Sequence, residues 1–61
     1  MTKTETREIA NAELYIKAGM RDTAARALSA LHRAARTNKS KDAIFAAATA
    51  YGITSHPDFI I

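Results

Sequence analysis

The chain contains no cysteine, which excludes disulfides and thiolate metal sites as a means of holding it together. No apolar run approaches the ~20 residues that a bilayer-spanning helix needs. The first residues, Met1, Thr2, Lys3, Thr4 and Glu5, lack the apolar stretch of a secretory signal. A soluble, cytoplasmic protein without a membrane partner is therefore the expectation. The motifs of catalysis are also missing: there is no cysteine nucleophile, no glycine-rich phosphate loop and no Gly-x-Ser-x-Gly turn. Neither the aromatic ribonucleoprotein motif nor a zinc ligand set is present, and no glycine turn joins two helices in helix-turn-helix fashion. A unit of this size is expected to offer little concavity for a buried site. These absences point away from an enzyme, and no cofactor or metal is expected.

What remains is a single domain of 61 residues. A domain this small buries only ~60% of the surface its unfolded chain exposes. Such domains often add disulfides, a metal or a partner subunit. With the first two unsupported, association with a second copy is the remaining device.

Helical patterning dominates. A first helix is predicted over about Thr4 to Ala18, stopped by Gly19, with Thr2 and Glu5 at capping-box spacing and Thr4 and Thr6 as rival caps. A second runs from Arg21 or Asp22 to Arg36. A third covers Lys41 to Tyr51, capped by Ser40 or Asn38 and stopped by Gly52. The predicted fold is all-α: a three-helix bundle, made of a helical hairpin plus a third helix, with a short C-terminal extension. In that extension Ser55 and Asp58 flank Pro57 at capping-box spacing, so a short turn can start there. Ile53, Phe59, Ile60 and Ile61 are costly to leave in water. The extension therefore reads either as a lid over the core or as an arm directed at a partner.

On a 100° wheel the second helix places Ala24, Ala27, Leu28, Leu31, Ala34 and Ala35 on one arc. Arg26, Arg33 and Arg36, with Ser29, fall on the opposite one. The first helix carries two apolar stripes. Ile9, Ala12, Tyr15, Ile16 and Met20 form one; Ala10, Leu14 and Ala18 form the other, which is assigned to a homodimer interface. In the third helix Ile44, Ala47, Ala48 and Tyr51 form the stripe, with Phe45 beside it.

Residues 8–35 resemble a single tetratricopeptide-type helical hairpin. Tyr15, Ala18, Gly19, Ala24, Leu28 and Leu31 stand at that family's spacing of small and large packing positions. The resemblance implies a scaffold that binds peptides or proteins. The sequence departs from the pattern at Ala12, where glycine is frequent, and at Glu8, where a large aromatic is favoured. No proline closes the second helix.

Charge is uneven along the chain. Arg21, Arg26, Arg33, Arg36, Lys39 and Lys41 face only Asp22 within residues 21–41. Lys3, Arg7 and Lys17 are outnumbered elsewhere by Glu5, Glu8, Glu13, Asp42 and Asp58. Such asymmetry suggests an acidic partner. Arg26, Arg33, Arg36, Lys39 and Lys41 are the candidate partner-binding residues. They suit an acidic protein surface, a nucleic acid backbone, or simply a solvated helix face. His32 and His56, with Asp58 near the latter, are read as surface side chains rather than ligands. The preferred functional reading is a small non-enzymatic protein-interaction module. As a chain that starts at Met1, it suits a stand-alone bacterial or phage regulator or inhibitor. Nucleic-acid binding through the second helix is the alternative.

Overall fold

The computed structural model describes residues 2–60. Thr2 caps the first helix, α1 (Lys3–Lys17), through the complete capping box: the Glu5 N–H donates to Thr2 Oγ1 (3.1 Å) and the Thr2 N–H donates to Glu5 Oε1 (2.9 Å). Thr4 and Thr6 lie inside the helix. At the far end Gly19 takes φ +80°, so that the Met20 N–H reaches back to the Tyr15 carbonyl at 2.8 Å. This is the left-handed stop that glycine makes available without steric cost.

The second helix, α2 (Arg21–Ala34), ends two residues earlier than the sequence pattern suggests. Ala35 is extended (φ −65°, ψ 136°), and Thr37 is extended in turn to cap α3 (Asn38–Ala50) by accepting the Ser40 N–H at 3.1 Å. Neither Ser40 nor Asn38 is the cap. Ser40 sits inside the first turn, buried, and its Oγ donates to Glu5 Oε1 at 3.1 Å. A cap at Thr37 requires non-helical backbone there, and this pulls Arg36 out of α2. The α3 helix stops at Gly52 (φ +70°), where the Ile53 N–H donates to the Ala48 carbonyl at 2.8 Å.

The result is an all-α three-helix bundle. The α1–α2 hairpin makes the most extensive helix contact, and α3 packs chiefly on α2. Ala12, Ala24, Ala25, Leu28, Ile44, Ala48 and Ile53 form the core, with Ile9, Ile16, Leu31 and Tyr51 packed around it. The small alanines let the helices approach closely. The radius of gyration, 10.2 Å, matches the roughly 10.5 Å of a folded chain this long, so the extension lies against the bundle.

Two expectations for the extension change. The turn at its centre starts from His56 rather than Ser55: the Asp58 N–H donates to His56 Nδ1 (3.0 Å), and the Phe59 N–H to the His56 carbonyl (3.0 Å). Phe59 is buried and meets Phe45 with ring centroids 6.1 Å apart, whereas Ile60 stays 64% exposed. Ile61 lies outside the described residues. Ser29, placed on the polar arc by the wheel, is only 2% exposed. Its hydroxyl donates to the Asp58 carbonyl (3.1 Å) and accepts the Ile60 N–H (2.6 Å). The extension thus covers part of the arc of α2 that carries Arg26 and Ser29.

Candidate functional site

Short turns make α1 and α2 antiparallel and return α3 antiparallel to α2. The start of α1, the end of α2 and the start of α3 therefore meet at one end of the bundle, where the Ser40–Glu5 bond ties two of them together. This arrangement sorts the charges. Lys3, Arg7, Arg33, Arg36, Lys39 and Lys41 gather at that end against Glu5, Glu8 and Asp42, a net +3. At the other end and along the extension, Lys17, Arg21 and Arg26 balance Glu13, Asp22 and Asp58. The whole formal charge of the chain, +3, resides at one pole.

The balanced end is also the bonded end. The Arg21 guanidinium donates to the carbonyls of Tyr51 (3.2 Å) and Gly52 (3.0 Å), placing a cation on the carbonyl end of α3. Lys17 pairs with Glu13 at 3.4 Å. The Tyr51 hydroxyl donates to Glu13 Oε2 at 3.0 Å; burial, together with this carboxylate, raises its pKa above the usual tyrosine range. Arg26, one of the five candidates, donates to Asp58 Oδ2 at 3.1 Å and so is engaged within the fold. Arg33, Arg36, Lys39 and Lys41 have no carboxylate partner among the described residues. Of these, Arg33, Arg36 and Lys39 are exposed, while Lys41 is half-buried.

An open groove of about 440 Å³ lies at the positive pole, lined mainly by Thr4, Glu5, Leu31, Ala34, Arg36 and Thr37. That volume falls within the range of ordinary ligand pockets, ~300–1,000 Å³, but the groove lies open to solvent and is not a buried site. Glu5 borders it with its carboxylate already engaged. The Thr2 backbone N–H, helped by the Ser40 hydroxyl and opposed by partial desolvation, holds its pKa below the usual glutamate value.

Asp22, His56 and Asp58 form the one cluster of His and carboxylate groups close enough to suggest a cation site among the described residues. The imidazole is already committed. Nδ1 accepts the Asp58 N–H (3.0 Å), which puts the ring proton on Nε2, facing Asp22 Oδ1 at 2.8 Å. A metal at Nε2 would displace that proton, and one at Nδ1 would displace the Asp58 N–H. With Asp58 also bound by Arg26, the cluster acts as a latch between the extension and α2. His32 is half-buried on α2.

Ala10, Leu14 and Ala18, assigned to a homodimer interface, are all exposed, Leu14 by 62%. The core takes only the other stripe, through Ile9, Ala12 and Ile16. Tyr15 and Met20, at the edge of that stripe, also remain partly in solvent. Among the described residues no helix is long and apolar enough to cross a membrane. Comparison with protein-family models, with curated proteins and with solved structures finds no match.

Proposed function

We propose that this chain is a small, non-enzymatic protein-interaction module that acts in the cytoplasm as a regulator or inhibitor and docks an acidic surface of its partner at the positive pole. One observation carries the reading: the fold engages Arg21 and Arg26 internally but leaves Arg33, Arg36 and Lys39 exposed and without a carboxylate partner beside a groove. Unpaired cations on one pole accelerate encounter with an acidic partner and disfavour basic ones. The tetratricopeptide-like spacing of residues 8–35 is in keeping with a peptide-binding role.

Nucleic acid is the second reading, favoured by the same cations. Magnitude weighs against it. The five exposed cations of the pole, Lys3, Arg7, Arg33, Arg36 and Lys39, neutralise at most about five phosphates, and a salt slope of about −4 to −5 on duplex DNA weakens such binding steeply toward physiological salt. Filter binding with duplex and single-stranded DNA and RNA across a salt series decides between the two. The expected result is no submicromolar binding at physiological salt. Tight, steeply salt-dependent binding abolished by Arg33→Glu with Arg36→Glu would make nucleic acid the partner.

A further inference from the structure

The groove at the positive pole has a chemistry more specific than its charge. Leu31 and Ala34 provide an apolar floor, Thr4 and Thr37 contribute hydroxyls, and Arg36 stands at the edge as an exposed cation. The positive N-terminal ends of α1 and α3 both open beside it, and one helix C-terminus opposes them. Glu5 is the one acid in the lining; its Oε1 accepts both the Thr2 N–H and the Ser40 hydroxyl, and it forms no ion pair with Arg36. From this geometry we infer that the groove seats a short acidic segment of a partner protein, with an aliphatic or aromatic side chain on Leu31 and Ala34 and a flanking carboxylate on Arg36. The inference deepens the acidic-partner reading above and rests on it.

Other occupants fit less well. A single-stranded nucleic acid wants aromatic faces on which bases stack, and no aromatic residue lines the groove. The chain's own extension is held elsewhere, by Ser29, Asp22 and Arg26. A second copy lacks the acidic segment: Glu13, Asp22 and Asp58 are each paired, while Glu8 and Asp42 lie on the positive pole itself. Like poles would then face each other.

Fluorescence polarisation with three labelled peptides tests the inference. The first is acidic with a central Leu–Phe pair, the second has the same acids around a Ser–Ser centre, and the third carries the Leu–Phe pair among lysines. The first should bind, the second about ten-fold more weakly, and the third not measurably. Arg36→Glu and Ala34→Trp should each weaken the first by about ten-fold while leaving the helical spectrum intact. Should Ala34→Trp fail to fold, Thr4→Glu serves as the groove-blocking variant. If neither acidic peptide binds, both the groove and the acidic-partner reading fall. If both acidic peptides bind alike, and Arg33→Glu weakens them as much as the groove variants do, the acidic-partner reading stands and the groove is discarded. Displacement of the peptide by a single-stranded oligonucleotide that binds more tightly would also overturn it.

Discussion

Glu5 connects three parts of the molecule with one carboxylate: it closes the α1 capping box, takes the hydroxyl of buried Ser40 on α3, and borders the groove. Its folded pKa is depressed, chiefly by the Thr2 N–H. The stability it supplies is therefore fully present above the unfolded glutamate pKa and is lost as pH falls through the lower folded value. Wild type should lose melting temperature between about pH 5 and pH 3 more steeply than Glu5→Gln, which has no charge to neutralise. Parallel thermal melts of the two proteins check this, and identical acid profiles would remove Glu5 from the account. Thr2 and Glu5 were legible from spacing, because a capping box depends only on local sequence. Ser40 was not. It looks like a cap in the sequence, but a long-range bond to Glu5 draws it into the bundle and leaves Thr37 to start the helix.

At the scale of elements, the three helices and both glycine stops follow from periodicity and left-handed backbone, so they are readable one segment at a time. The face of α2 that carries Asp22, Arg26 and Ser29 is not, because only tertiary packing shows that the extension lies on it. A wheel assigns Arg26 and Ser29 to solvent; Arg26 stays exposed but pairs with Asp58, whereas Ser29 is buried against the extension and bonded to the Asp58 carbonyl and the Ile60 N–H. Charge asymmetry misleads for the same reason. Arg21 and Arg26 belong to the basic run in sequence but to the neutral end in space, whereas Lys3 and Arg7 join the positive pole. The latch has an energetic consequence. Ser29→Ala removes the partner of two partly buried backbone groups and should cost about 1–2 kcal/mol. Phe59→Ala empties a buried ring site beside Phe45 and should cost more, about 3 kcal/mol. Ile60→Ala, at an exposed position, should stay within about 0.5 kcal/mol of wild type. Urea denaturation of the three variants orders them; equal, negligible losses would mean that the extension is not part of the folded core.

The whole molecule exposes 4005 Å², and a standard interface uses about 800 Å² on each partner. A dimer would thus cover about a fifth of this surface, a large gain for a domain whose own core is mostly alanine. The stripe Ala10, Leu14 and Ala18 would form the centre of such a surface: one large aliphatic side chain flanked by small residues one turn away on either side. It is unused by the core, which takes the Ile9, Ala12 and Ile16 stripe instead. Two α1 helices packed there would bring Leu14 against its counterpart and let the alanines close the distance between backbones. Leu14→Glu would place an unpaired carboxylate at the centre of that contact, costing about 3 kcal/mol or more, roughly a hundred-fold in dimer affinity. Sedimentation should show wild type as a dimer at tens of micromolar and Leu14→Glu as a monomer with an unchanged helical spectrum. Because Leu14 is absent from the groove lining, the monomeric variant should still bind the acidic Leu–Phe peptide, which separates association from docking. A wild type that sediments as a monomer at those concentrations would mean that α1 keeps its outer stripe in solvent.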